Sequence, residues 1–296
     1  MSSGLRRGVR GGARWCVGAV CWLACASAVQ ALSSEAAALR ARYDALRTPL
    51  ASSPFQQPLL LQAASGEDAL QGDVFAVIEQ PFAVAGQALQ ERIRWCDVLI
   101  LHLNTKQCRV KGGAGSETIT LVVGRKFEQP AGAGRSVEFA FRVLSSGPDY
   151  VRVQMAAEVA TDARDQVLLE ATAIDERRTF IHVSYSYKFS TVERWAMQAY
   201  LATLGRDKVG FTVTGSGAGG KPEHIRGVRG MVERNAMRYY LAVVVYVESL
   251  AVPPGEQLEK RLRDWFAATE RHALQLHEMS RDEYLTMKRN ETRGMP

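Results

Sequence analysis

The first 31 positions of the chain lack acidic residues, and the first carboxylate is that of Glu35. Arginines stand at positions 6, 7, 10 and 14, and an apolar run from Trp15 to Ala28 follows them. Small residues up to Ala28 and Ala31 suit cleavage by a signal peptidase, so residues 1–31 are predicted to be a secretory signal peptide. A retained anchor is the alternative, but the run covers about seventeen residues and a spanning helix needs about twenty.

Cysteine is scarce beyond that segment, since only Cys96 and Cys108 of the five cysteines lie there. Exported proteins fold in an oxidising compartment, which favours a disulfide over a metal or redox site. The bridge would close a loop of about a dozen residues and contribute about 3 kcal/mol to stability. It would join a short helix to the strand that follows it, and two buried thiols are the alternative.

No excess of positive charge remains once the signal segment is set aside. Four of the 37 lysines and arginines lie in that segment, which leaves 33 against 31 acidic residues. This near balance argues against a nucleic acid or an anionic membrane surface as partner. The remaining chain of roughly 265 residues is long enough for one large or two small domains.

The usual catalytic signatures are missing from the sequence. There is no Gly-x-Ser-x-Gly motif, and the closest pair of histidines, His272 and His277, lacks zinc-ligand spacing. The glycine-rich segment 215–220 fits part of a phosphate-binding loop, but Pro222 stands where a magnesium-binding Ser or Thr is needed. A hairpin loop is favoured there, and no catalytic residue, metal or cofactor is predicted.

Several segments alternate apolar and polar residues with the period of a β-strand. In the clearest of them, Ile181, Val183 and Tyr185 share one face while His182 and Ser184 share the other. Short turns between such segments predict an antiparallel meander with one buried face. The predicted strands are 119–127, 136–143, 150–159, 167–174 and 179–189.

Helical spacing appears on both sides of these strands. Ser190 and Glu193 have the form of a capping box, and Ala236–Val247 is apolar nearly all round, which is typical of a buried helix. Leu258, Leu262 and Trp265 form one stripe after Pro254. The predicted helices are 33–48, two short pieces within 82–103, 190–204, 224–250 and one after Pro254.

The order of these elements over residues 72–250 is a strand, two short helices, an antiparallel meander and a long apolar helix. This order resembles the START-like (SRPBCC) helix-grip superfamily. The resemblance implies an α+β fold in which an antiparallel sheet curves around a long C-terminal helix, with extra N- and C-terminal helices. The implied organisation is a signal (1–31), an N-terminal helix and extended arm (32–71), a START-like domain (72–252) and a C-terminal helical extension (253–296).

The resemblance further implies an exported, periplasmic binder or carrier of a lipid or other hydrophobic small molecule, held in an internal cavity. A structural or interaction protein of the cell envelope, with a protein partner, is the main alternative, and an enzyme acting on a lipid or polyketide-like substrate is less favoured. For single arginines of the long helix a solvated face is favoured over an anion-binding stripe. The predicted ligand-binding residues are Trp95, Asn104, Arg125, Tyr185, Tyr187, Arg229 and Arg234.

Overall fold

Eight strands form one antiparallel sheet in the computed structural model of the chain. The structure describes residues 18–66, 69–111, 118–130, 132–157, 165–188 and 205–293, together with positions 195, 199 and 203, and its side chains from residue 34 onward. The strands are β1 (Leu59–Ser65), β2 (Ala69–Ile78), β3 (Thr105–Lys111), β4 (Thr118–Val123), β5 (Arg135–Ser146), β6 (Tyr150–Ala157), β7 (Asp165–Ala173) and β8 (Thr179–Lys188). Their order in the sheet is β1-β2-β8-β7-β6-β5-β4-β3.

The described helices lie before, within and after this sheet. They are α1 (Gly18–Ala51), α2 (Phe82–Gln90), α3 (Arg94–Leu99), α4 (Gly227–Ser249), α5 (Pro254–Glu270), α6 (Ala273–Leu276) and α7 (Arg281–Thr292). The long helix α4 packs against β1, β2 and β8 on the apolar face of the sheet. Within the described residues, no helix is both long and apolar enough to cross a membrane.

Glycine at position 72 lets α4 approach the sheet closely. A Cβ atom at Gly72 would lie 2.9 Å from the Cβ of Ala236 and 3.1 Å from the carbonyl oxygen of Val232. Both distances are shorter than ordinary van der Waals contact, so any side chain at this position would push α4 away from β2. Helix α4 therefore packs directly against the backbone of β2.

The opposite face of the sheet carries a smaller apolar cluster that α1 covers. Leu39 on α1 packs with Phe75, Tyr150 and Phe180 of the sheet. Arg40 extends this contact, because its guanidinium donates to the carbonyl of Ala173 (3.1 Å) and to Asp149 (2.6 Å). The sheet is thus sandwiched between α1 on one face and α4 on the other.

The predicted fold class is confirmed: the chain has an α+β fold with an antiparallel sheet around a long helix. All five predicted meander strands are present, but the first ends at Val123, and residues 124–127, predicted as strand, lie in the loop that follows. The predicted disulfide joins Cys96 on α3 to Cys108 on β3 with 5.3 Å between the Cα atoms. The glycine-rich segment lies in a hairpin formed by β9 (Val213–Ser216) and β10 (Pro222–His224). The helix predicted at 190–204 falls almost wholly outside the described residues.

Candidate functional site

The space between the sheet and α4 is filled by side chains where the structure describes it. Val74, Ile181 and Val183 on the sheet have no accessible surface, and the same holds for Met237 and Val243 on α4. A cavity that holds even one water molecule would leave accessible surface on its walls. The central contact of the sheet with α4 is therefore a packed core.

Stacked rings continue this filling from the sheet toward the C-terminal helices. Tyr185 on β8 stacks on Tyr239 (5.3 Å between centroids), which meets His102 (4.5 Å). His102 in turn lies 6.1 Å from Trp265, which stacks on Tyr284 at 5.2 Å. Burial, together with Arg238 and Lys288, lowers the pKa of His102 to about 3, so this imidazole is neutral within the ring cluster.

An open groove of about 1170 Å³ lies beside this core, between α7 and the loop that follows β4. Phe127 on the loop is 56 % exposed, although aromatic rings of this size are usually buried. Partly buried Met279 supplies further apolar surface. The lining consists of Asn104, Arg125, Lys126, Phe127, Glu128, Lys208, Glu278, Met279, Asp282, Glu283, Thr286 and Met287.

Two buried lysines fix the width of this groove. Lys106 donates to the carbonyl of Phe127 (3.1 Å) on the loop and to Glu291 (2.8 Å) on α7. Lys288 on α7 donates to the carbonyls of His102 (2.5 Å) and Thr105 (2.7 Å) and to Glu291 at 2.8 Å. Both walls of the groove are therefore tied to the beginning of β3 by hydrogen bonds to charged groups, which are stronger than neutral ones.

Three cations converge on a single carboxylate at one end of the groove. Glu278 accepts hydrogen bonds from Lys126 (2.5 Å), Arg238 (2.9 Å) and Lys208 (3.1 Å). Burial by itself would raise the pKa of Glu278, but Lys126 and Arg238 lower it overall. Burial and the neighbouring Arg238 lower the pKa of Lys126. Lys126 and Lys208, which line the groove, therefore share Glu278 as their carboxylate partner.

Two of the residues predicted to bind ligand line the groove. Asn104 donates to the carbonyl of Gly124 (3.0 Å), which fixes it at the start of the loop. The guanidinium of Arg125 lies 5.7 Å from the centroid of the Phe127 ring, in a cation–π arrangement. The structure thus brings Asn104 and Arg125 together at one site, and their contact with a ligand stays a prediction.

The other five predicted residues lie elsewhere. Trp95 is buried and donates to the carbonyl of Leu89 (2.8 Å), while Tyr185 belongs to the ring cluster and donates to Asp165 at 3.1 Å. Tyr187 is partly buried at the end of β8, and Arg229 is exposed on α4. Arg234 is buried and donates to the carbonyl of Val209 (3.0 Å). Their ligand roles also stay predictions.

Sequence reasoning missed the residues that give the groove its charge. Lys126, Lys208 and Glu278 come from segments about 70 to 150 positions apart, and Arg238 comes from α4. No spacing along the chain signals such a cluster, because only the packing of the C-terminal segment against the β4–β5 loop brings it together.

A second polar cluster, formed by His182, Asp73 and Glu170, lies beneath α1 on the outer face of the sheet. The Nε2 atom of His182 is 2.9 Å from Asp73, and its Nδ1 atom is 3.0 Å from Glu170. Phe75 stacks on the imidazole with 4.3 Å between centroids, and Tyr150 donates to Glu170 at 2.7 Å. A polar cavity of about 410 Å³ adjoins this cluster.

The geometry of this second cluster requires a protonated imidazole. Both ring nitrogens face carboxylates, so both must donate. Burial alone would lower the pKa of His182, but the hydrogen bonds to Asp73 and Glu170 raise it overall. With both nitrogens engaged, the ring is not placed as a general base. Within the described residues, no group of His, Cys, Asp and Glu side chains is arranged to hold a metal ion.

Comparisons with known proteins return weak structural similarity alone. No family model and no curated sequence matches the chain. A conserved protein of unknown function from Enterococcus faecalis is 6 % identical, with 79 % of this chain and 88 % of that chain covered and a TM-score of 0.31. The Zhui aromatase/cyclase from Streptomyces sp. R1128 is 10 % identical, with 69 % and 94 % covered and a TM-score of 0.30. Norcoclaurine synthase from Thalictrum flavum is 12 % identical, with 50 % and 91 % covered and a TM-score of 0.30.

Scores of this size transfer no function to the chain. The class of protein follows from its own topology instead: β2 pairs with β8, the meander continues outward to β3, and α4 packs across the inner face. The chain is a helix-grip α+β protein.

Proposed function

We propose that this protein is a non-catalytic binder or carrier of a lipid or other hydrophobic small molecule, and that it belongs to the START-like superfamily. The observation that supports the proposal most is the groove of about 1170 Å³ between α7 and the β4–β5 loop. Ligand pockets for drug-sized molecules usually measure about 300–1000 Å³, so this groove has room for a longer aliphatic chain.

The chemistry of the groove favours an apolar ligand. Exposed Phe127 and partly buried Met279 offer apolar surface that a bound aliphatic chain would remove from water, at about 25 cal/mol for each Å². Methionine side chains are flexible and adapt to ligands of different shape. The filled core between the sheet and α4 moves the proposed binding position from an internal cavity to this open groove.

Binding is favoured over catalysis by the state of the titratable groups. Glu278 is held by three cations, and Glu283 accepts from the backbone and hydroxyl of Ser280 in a capping box. A catalytic nucleophile or base needs a partner that activates it at the reacting atom. These carboxylates are occupied in structural contacts instead.

We also propose that the protein is exported and resides in the periplasm. The basic and apolar pattern of residues 1–31 supports this proposal, and so does the disulfide between Cys96 and Cys108. Of the predicted ligand-binding residues, we propose Asn104 and Arg125 as direct contacts, because both line the groove.

Native mass spectrometry of the protein purified from producing cells and incubated with their total lipid extract tests both proposals. We expect a polypeptide without residues 1–28 or 1–31, two hydrogens lighter than its reduced form, and carrying a lipid adduct. Phe127→Asp should abolish the adduct, whereas Leu144→Asp should retain it, since Leu144 is also an exposed apolar side chain but lies outside the groove lining.

The two proposals fail separately in this measurement. Wild-type protein that carries no adduct at any lipid concentration contradicts the binding function. A mass that retains residues 1–31, or free thiols at both cysteines, contradicts export into an oxidising compartment and leaves the groove unaffected.

A further inference from the structure

We propose that the groove selects amphiphiles with an anionic oxygen headgroup, a carboxylate or a phosphate, which Lys126 and Lys208 bind. This inference rests on the proposed function, because it assigns the headgroup of the ligand that the groove would hold. We call Lys126, Lys208, Arg238 and Glu278 the cation cluster.

The two partly exposed lysines of the cation cluster share one carboxylate. Lys126 and Lys208 both donate to Glu278, at 2.5 Å and 3.1 Å. Surplus charge in a partly buried site is unfavourable unless a counter-charge approaches. A ligand anion would supply that counter-charge.

The two lysines are placed to reach a ligand, while the other two members lie behind them. The side chains of Lys126 and Lys208 are 35 % and 32 % exposed, whereas those of Glu278 and Arg238 are each 10 % exposed. An ammonium group has three donors. Lys126 uses one on Glu278, and Lys208 uses two on Glu278 and the carbonyl of His277, so donors remain for a ligand oxygen.

The remaining charged side chains that line the groove are exposed, and they are Arg125, Glu128, Asp282 and Glu283. Glu283 is engaged by Ser280, and Glu128 accepts from Asn290 at 2.9 Å. Asp282, like these two, is exposed on the surface, where solvent and salt screen it. The partly buried Lys126 and Lys208 are therefore the proposed contacts of the headgroup, and Phe127 and Met279 those of the chain.

Calorimetric titration with two probes of equal chain length, palmitate and hexadecanol, tests this inference on the intact protein. We expect palmitate to bind about tenfold more tightly, which corresponds to about 1.4 kcal/mol, since hydrogen bonds to charged groups are stronger than those to neutral groups. The double variant Lys126→Gln/Lys208→Gln should lose this preference and bind palmitate as weakly as hexadecanol. Arg238 still pairs with Glu278 in that variant.

Lys111→Gln is the matched control, because Lys111 is an exposed lysine paired with Glu138 outside the groove and should not affect either probe. Equal affinities for the two probes in the wild type would overturn the headgroup assignment but leave the proposed function standing. Failure of both probes to bind would overturn the proposed function itself. Inorganic phosphate that bound as tightly as palmitate would overturn the amphiphile assignment in favour of a site for free anions.

Discussion

At the scale of single residues, the two charged clusters differ in their ratio of cations to carboxylates. His182 is a cation between two carboxylates on the outer face, and both carboxylates have a lowered pKa because of it, against the effect of burial, which alone would raise each pKa. The cation cluster instead has one carboxylate among three cations. In the His182 cluster the imidazolium and the two carboxylates pair with one another, which stabilises the fold. The cation cluster is instead the proposed binding site for the anionic headgroup of a ligand.

Substitution of His182 by Gln should destabilise the protein by about 3 kcal/mol, because partly buried Asp73 then loses its cation and Glu170 keeps only Arg152, at 3.9 Å. His277→Gln is the control, since His277 is 52 % exposed and pairs with the single carboxylate of Glu270, so its loss should cost less than about 1 kcal/mol. Urea unfolding at pH 6 measures both. Equal losses for the two variants would contradict the structural role of His182.

The difference in stability between the wild type and His182→Gln should depend on pH, in a way that follows from the signs of the pKa shifts. The pKa of His182 is raised from 6.5, so its contribution is complete below about pH 6.5 and is lost as the pH rises through the folded-state value. Asp73 and Glu170 have lowered pKa values, so their contributions are lost as the pH falls below about 4. The stability gap between wild type and His182→Gln should be widest between these limits, and a gap that widens above pH 8 would contradict this assignment.

Alternation along β8 placed His182 on the face opposite Ile181, but its partners could not be predicted from the sequence. Glu170 stands opposite His182 in the β7–β8 pairing, and Asp73 lies on the other neighbouring strand. The favoured solvated face was wrong for Arg234 and Arg238, which are buried. Their acceptors are the carbonyl of Val209 and the carboxylate of Glu278, and both come from segments distant in sequence.

At the scale of elements, the sequence predicted α4 and five of the eight sheet strands, β4 to β8, because their apolar periodicities are strong. Helix α7 was not predicted, since Lys288 is fully buried on its inner face and pattern analysis assigns a lysine to solvent. The hydrogen bonds of Lys288 to the carbonyls of His102 and Thr105 explain its position, and they depend on how α3 ends before β3.

Gly72→Ala should destabilise the protein by about 1–3 kcal/mol, because the new methyl group overlaps Ala236 and forces α4 away from β2. Gly215→Ala is the control, since a Cβ there would meet no atom within 4 Å, and it should change stability by no more than about 0.5 kcal/mol. Thermal unfolding followed by circular dichroism checks both. A Gly72→Ala variant as stable as the wild type would contradict the close packing of α4 against β2.

At the scale of the whole molecule, a helix-grip core is extended at both ends. Helix α1 covers the outer face of the sheet, and α7 with the segment just before it builds one wall of the groove beside the core. The sequence predicted both extensions, as an N-terminal helix and a C-terminal helical segment added to the helix-grip order of strands and helices. It could not predict that Tyr239, Trp265 and Tyr284 fill the interior, because filling depends on rings from three separate helices.

Photo-crosslinking with palmitate that carries a diazirine on its chain tests most directly whether the groove is the binding site. Irradiation followed by peptide mapping should place adducts on the loop around Phe127 and on the segment from Met279 to Met287, and unlabelled palmitate should compete for them. Adducts confined to the α1 face, or adducts that palmitate does not displace, would contradict binding in the groove.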